Sequence, residues 1–195
     1  MIISAPSGAG KTTLCRELLK RFPTMRESIS YTTRQPRNGE VEGEDYFFVS
    51  REEFQRMIAG DAFAEWAEVH GNLYGTALKT LEEARRNGND LVLDIDCQGA
   101  RQLKERFEGG SYIFILPPSM EELRRRLECR SSDAPAVIDL RINRAAEEIR
   151  EARWYDYIIV NDRFENAFDE LSAIVVAQSR RTFRMLEQVA KLFDI

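Results

Sequence analysis

The chain has 195 residues, 43% of them hydrophobic, enough for one α/β domain with a small insertion. Its net charge of -5 excludes a general basic surface for nucleic acid, and one histidine with no zinc-like cysteine spacing excludes a structural zinc site. The three widely spaced cysteines, Cys15, Cys97 and Cys129, read as free thiols in a reducing, cytoplasmic compartment, and no apolar run is long enough to span a membrane.

Met1-Ile2-Ile3 reads as a short strand, Ser4 to Thr13 as a glycine-rich turn, and the residues from Lys11 onward as a helix. Strand, glycine turn and helix N-terminus are the setting of a phosphate-cradling loop. Gly8 and Gly10 let backbone N–H groups turn toward an anion, and the helix start adds unpaired N–H groups and a partial positive charge. Lys11 is placed to reach β- and γ-phosphates, and the Thr12 hydroxyl to hold Mg²⁺. The loop pattern GxxxxGK[ST] has Gly where this chain has Ala5. An ordinary glycine-rich turn would need no lysine at position 11.

Leu14, Leu18, Leu19 and Phe22 continue the helix to Pro23, and Ser28 to Tyr31 alternates as a short strand. Thr32 to Glu40 is a polar surface loop in which Arg34 and Arg37 either serve solubility alone or form a bidentate anion clamp. Asp45 to Val49 reads as a strand, and Ser50 with Glu53 as a capping box for a helix carrying Phe54, Met57 and Ile58. Phe63 to Val69 alternates, with Phe63, Glu65, Ala67 and Val69 on one face, so the Glu65 carboxylate needs a partner. Gly71 to Thr76 returns as a hairpin, with His70 a turn residue without chemistry. Tyr31, Phe47, Trp66 and Trp154 read as packing aromatics.

Leu78 to Arg86 is helical and stops at Asn87-Gly88. Leu91 to Asp96 is a buried strand ending in Asp94 and Asp96, where a parallel sheet presents carboxylates to a ligand. Helix Gln98–Phe107, strand Tyr112–Leu116 and a helix capped by Ser119 and Glu122 and running to Cys129 follow, with Arg124 and Arg125 on its solvated face. After a polar stretch from Arg130 to Pro135 come a helix around Val137–Ile149, strand Tyr157–Val160 with Asn161-Asp162, and one long helix from Phe164 to Phe193. The expected fold is α/β: a P-loop parallel sheet covered by helices on both faces, with a small mixed β-rich insertion and a short lid.

Residues 4–12, Ser30 to Arg37, Glu65 to Thr76, Asp94 to Gly99, Arg126 to Arg130 and Val160 to Asp162, in this order and spacing, resemble guanylate kinase, a family of P-loop nucleoside monophosphate kinases. The resemblance covers essentially the whole chain. It implies Mg²⁺-dependent transfer of the ATP γ-phosphoryl group to GMP or dGMP, in purine nucleotide metabolism. It implies ATP binding by Ala5, Pro6, Ser7, Gly8, Ala9, Gly10, Lys11, Thr12 and Thr13, with Arg126, Arg130, Asn161 and Asp162. The GMP phosphate falls to Ser30, Arg34, Arg37, Tyr46 and Tyr74, and the guanine to Glu65, Thr76 and Asp96. From the residues themselves, Mg²⁺ falls to the Thr12 hydroxyl, and Asp94 reads either as a structural acid at the strand end or as a residue near Mg²⁺ acting through water. The charge that two phosphorylated substrates bring together points to Lys11, Arg34, Arg130 and Arg141 for catalysis. The implied divisions are a core of 1–29 and 77–195, a GMP-binding insertion at 30–76 and a lid at 126–145. Ser131 and Pro135 depart from the family, which commonly has Gly after the lid arginine.

The chemistry agrees. Guanine offers N1–H and an exocyclic amine on one edge, and a single carboxylate accepts both. Asp96-Cys97-Gln98-Gly99 matches the DxxG pattern of GTPases, but no NKxD follows. A non-enzymatic scaffold of this family would have lost Lys11 or the lid arginines, and Glu65 argues against another acceptor. The expected partners are ATP and GMP, without nucleic acid or membrane, in a monomer or homodimer.

Overall fold

Ile2–Ser4 (β1) sits at the centre of a five-stranded sheet because it is apolar enough to be buried on both faces. Its neighbours are Asp90–Asp94 (β7) and Tyr112–Leu116 (β8), with Met25–Glu27 (β2) and Tyr157–Val160 (β9) outside them, and every pairing is parallel. The computed structural model describes residues 1–69, 71–130 and 134–194, without the side chains of Arg130 and Glu187. On one face Lys11–Arg21 (α1) and Phe164–Ser179 (α7) close a core of Ile3, Leu14, Leu18, Val92, Ile113, Ile159 and Leu171. On the other, Leu78–Asn87 (α3), Cys97–Arg106 (α4) and the end of Pro135–Glu151 (α6) cover Ile2, Leu93 and Phe114. Each such aliphatic side chain contributes about 1.5–3 kcal/mol by leaving water. Met120–Arg130 (α5) packs on α6 through Leu123, Leu127, Ile138 and Ala145.

A second, mixed sheet has the order β4-β3-β6-β5, from Tyr31–Thr32 (β3), Phe47–Phe48 (β4), Phe63–Val69 (β5) and Asn72–Ala77 (β6). Arg51–Ala59 (α2) buries Phe54 against Phe63 and Leu73. The Ser50 hydroxyl accepts from the Glu53 N–H at 3.1 Å, but the Glu53 carboxylate pairs with Arg56, so only half of the capping box forms. At the edge strand β5, the Gln102 amide accepts from Trp66 N–H at 3.1 Å and donates to Trp66 O at 2.7 Å. One side chain of α4 thus pairs part of an edge that is otherwise prone to intermolecular pairing.

Several expectations are corrected. Ser28 to Tyr31 is not one strand: Ser28 N–H still bonds to Val92 O of the parallel sheet, whereas Ser30 O accepts from Phe47 N–H in the second sheet. The chain crosses between sheets in those three residues. The strand expected at Asp45 to Val49 shrinks to Phe47–Phe48. Strand β7 stops at Asp94, because Asp96 is the N-cap of α4. The long terminal helix breaks at Arg180-Arg181: Arg181 is extended, and Thr182–Phe193 forms a separate α8, tied back by Arg184 to Asp90 at 2.6 Å. Ser179 Oγ donates to Val176 O there, the local competition by which serine weakens a helix. Segment 126–145 is helical on both sides of residues 131–133; those three, Ser131 included, and His70 lie outside the described residues. Pro135 stands at the first position of α6, where its fixed φ and missing N–H are favoured. Among the described residues no helix is long and apolar enough to cross a membrane.

Candidate active site

A cavity of about 470 Å³ opens between the loop that leaves β1, the carboxyl end of β7 and the second sheet. The loop turns on Gly8 and Gly10, both left-handed at φ 95° and 97°. Ala5 is not among the positive-φ residues, so this backbone does not require the motif's first glycine. A Cβ at Gly10 would fall 2.3 Å from Asn161 Nδ2. Asn161, buried at the end of β9, donates to Ala9 O at 2.7 Å and accepts at its own carbonyl from Arg126 Nη2 at 2.9 Å. The side chain expected in an adenine pocket is therefore also a strut for the loop. Arg126, Asn161 and Asp162 border a shallower concavity with Gly8, Gly10 and Thr13. Gly10→Ala is expected to cost about 1–2 kcal/mol from the left-handed backbone alone and to abolish most activity by displacing the loop. Thermal melting together with turnover checks this, and wild-type values for both would contradict it.

Lys11 opens α1. Its Nζ lies 2.6 Å from Asp94 Oδ1 and donates to Ile95 O at 2.7 Å. Burial works against the ammonium, but Asp94 outweighs it and holds the Lys11 pKa above its usual value. Thr12 Oγ1 lies 3.5 Å from Asp94 Oδ2, so Lys11, Thr12 and Asp94 form one group at the strand end.

Glu65 reaches the cavity through a β-bulge. Phe63 pairs with Ala77 and Glu65 with Thr76, so Ala64 is the extra residue between them. Strict alternation across 63–69 is corrected accordingly: Phe63 goes to the α2-side core, while Glu65, Ala67 and Val69 line the cavity. Glu65 is 3% exposed. Its Oε1 accepts from Thr76 N–H at 2.9 Å, and Oε2 lies where a Cβ at Gly99 would approach within 2.2 Å. Burial, with the Asp96 carboxylate in addition and Thr76 opposing, pushes the Glu65 pKa up to about 7. The Thr76 hydroxyl is fully buried beside it and makes no hydrogen bond of good geometry. Asp96 caps α4 through Gly99 N–H at 2.9 Å, accepts from Gln98 at 3.0 Å and lines the same cavity.

Ser30, Arg37, Tyr46, Tyr74 and Arg141 also line the cavity. Arg34 does not; its guanidinium is stacked on the Tyr46 ring and paired with Glu40 at 2.8 Å. Of the four residues expected to act in catalysis, Lys11 and Arg141 are on the wall, Arg34 is off it, and the Arg130 side chain lies outside the described residues.

The sequence reading missed two carboxylates, Glu40 and Glu148. Glu148 lines the cavity, and burial, then Asp96, pushes its pKa up to about 7. Its signal was available: Arg141 and Glu148 are seven residues apart, hence on one face of a helix. The arrangement sets a cationic, N–H-rich loop against a wall with buried acceptors, suited to holding a polyphosphate and a hydrogen-bond-donating ring at once.

A sequence model of the family described as guanylate kinase matches residues 1–178. The guanylate kinases of Geobacter metallireducens and Geobacter sulfurreducens are 67% and 66% identical to the chain over 194 residues, covering 100% of it and 96% of each relative. The crystal structure of guanylate kinase from Anaplasma phagocytophilum superposes with a TM-score of 0.79 at 39% identity, covering 100% of this chain and 94% of that one.

Proposed function

The chain belongs to the guanylate kinase family, and from that premise we propose how its own residues carry the reaction. The enzyme transfers the γ-phosphoryl group of ATP to GMP, giving ADP and GDP. The observation that carries the assignment of residues is the placing of Lys11 and the buried Glu65 on one cavity.

In this reading the loop Ala5 to Thr13 holds the ATP phosphates by the N–H groups at the start of α1 and by Lys11, Pro6 having no N–H and the Ala9 N–H closing the turn on Pro6 O, with Asn161 and Arg126 bracing the loop. Glu65 accepts from guanine N1–H and the amine, Asp96 accepts from the amine's second hydrogen, and Thr76 donates to O6. Ser30, Arg34, Arg37, Tyr46 and Tyr74 take the GMP phosphate. The attacking phosphate oxygen is already ionised, so no general base is needed. The protein aligns the two phosphates and neutralises their charge through Lys11, Arg34, Arg130 and Arg141. Asp94 keeps Lys11 charged and aimed until nucleotide arrives. The hydroxyl of Thr12 and the carboxylate of Asp94, hard oxygen donors 3.5 Å apart, fit Mg²⁺ bound with ATP, Asp94 through water. When bound, the ion supplies charge neutralisation at the phosphates. Residues 30–76 serve as the GMP-binding insertion and 126–145 as the lid, whose closure keeps water from the γ-phosphate.

The test is ATP consumption with GMP, AMP, CMP, UMP and no acceptor. GMP alone is expected to support it at rate; equal consumption without acceptor, or with AMP, would refute the assignment of residues to a guanine site.

A further inference from the structure

The turn Arg37-Asn38-Gly39-Glu40 closes with Glu40 N–H on Arg37 O at 3.1 Å, and Gly39 takes φ 87°, which a side chain would resist. This turn sends the Glu40 carboxylate back onto Arg34. Oε1 accepts from Arg34 Nη2 at 2.8 Å; Oε2 accepts from Nη1 at 3.0 Å and from Arg37 N–H at 2.7 Å. Nη1 spends its second hydrogen on Gln35 O at 2.8 Å.

A guanidinium has five N–H donors. Glu40 and Gln35 take three of them, all at the Nη1–Nη2 end. The two that remain, on Nε and Nη2, lie side by side on one edge of the plane, the edge that binds a phosphate or carboxylate through two parallel bonds. Neither Glu40 nor Gln35 accepts from Nε. The Tyr74 hydroxyl, on the cavity wall, is within hydrogen-bonding reach of the guanidinium. The rings of Tyr46 and Phe48, 5.3 and 5.9 Å from the guanidinium carbon, limit its rotation. The pair is shielded, with side chains only 14% and 19% exposed, so its geometry is held more firmly than that of a surface pair.

We propose that Glu40 is a positioning residue for the acceptor's phosphate: it grips Arg34 by one edge and leaves the opposite edge for the phosphate of GMP. The inference rests on the assignment of Arg34 to that phosphate made above. Glu40 touches no substrate; it acts through Arg34. A carboxylate that competed with the phosphate would have to leave three charge-assisted bonds for GMP to bind, whereas the spare edge lets both anions be held together.

The experiment compares GMP with guanosine, which has the base and ribose but no phosphate. The Michaelis constant for GMP and the inhibition constant of guanosine are measured for wild type, Glu40→Gln, Arg34→Ala and the double variant. Glu40→Gln is expected to lower kcat/KM for GMP about 10- to 100-fold, the worth of one charge-assisted hydrogen bond, and to change the guanosine constant less than about twofold. In the Arg34→Ala background the same change is expected to add less than about threefold. Should Glu40→Gln fail to fold, Glu40→Asp, which withdraws the carboxylate by one methylene, is expected to show the same phosphate-selective loss. Equal losses for GMP and guanosine would make Glu40 a general scaffold residue and overturn the proposal. Unchanged or tighter GMP binding in Glu40→Gln, with Arg34→Ala impaired, would overturn it while sparing the Arg34 assignment. Unimpaired Arg34→Ala would overturn both.

Discussion

Lys11→Met is expected to lower turnover by about three orders of magnitude or more while the protein still folds. The phosphates of ATP and GMP meet head-on, and a preorganised donor in a water-excluded site contributes about 10²–10³ in rate even when it is neutral. Lys11 carries a full charge, and Asp94 keeps it protonated. Methionine fills nearly the same volume, so the loop, braced by Asn161 and turned on two left-handed glycines, retains its backbone. The stability loss is held to about 1–2 kcal/mol because Asp94, deprived of its partner, is 22% exposed and keeps some access to solvent. Steady-state kinetics and a thermal melt on the same preparation test this. Near-normal activity in folded Lys11→Met protein would remove the loop from the reaction.

Glu65→Gln is expected to weaken GMP by about 2–4 kcal/mol in kcat/KM and to leave the KM for ATP nearly unchanged. The amide keeps the shape of the side chain but turns one acceptor into a donor, which then faces the N1–H or the amine of guanine. Wild type is expected to reject AMP by about 10⁴-fold, because adenine offers an acceptor where Glu65 requires a donor. Thr76→Ala should cost less, about 1 kcal/mol, as a neutral hydrogen bond does. The pH dependence follows from burial. With its pKa pushed up to about 7, Glu65 is partly protonated at neutral pH, while the proposed contacts to guanine require the ionised form. Affinity is therefore lost as pH falls through about 7, and the dependence should be much reduced in Glu65→Gln, where only Glu148 of the two raised carboxylates on the cavity still titrates. Guanosine inhibition measured from pH 6 to 8 isolates the effect from titration of the GMP phosphate. AMP phosphorylated as well as GMP, or unchanged GMP kinetics in Glu65→Gln, would mean that another residue reads the base.

The sequence disclosed those features whose physics is local. Ile2-Ile3, the glycine turn and Lys11 announce a phosphate loop because strand, left-handed glycine and helix start are settled within a dozen residues. Buried apolar runs such as Tyr112–Leu116 and the helical stripe of α1 likewise identified a parallel sheet with helices on both faces. Gly88 ends α3 in the left-handed conformation, as a helix-stopping glycine should. Motif order across the chain was enough to bring Glu65, Asp96 and Tyr74 into one expectation, and the structure brings them to one cavity.

Other features were decided only when distant segments met. The bulge at Ala64 depends on how β5 registers against β6, so simple alternation put Phe63 on the wrong face. Residues 28–30 cross between sheets because their hydrogen-bond partners, Val92 and Phe47, come from elsewhere in the chain. The break at Arg180-Arg181 carries neither Gly nor Pro, and the second helix is fixed by Arg184 reaching Asp90. Asn161 became a strut by meeting Ala9 across 152 positions, and the need for glycine at position 99 appears only once Glu65 lies against it. Identity, spacing and local conformational preference are properties of the chain; register, burial and the pairing of charges are properties of the packed fold, and they determine which edge of Arg34 Glu40 grips and how strongly Glu65 holds its proton.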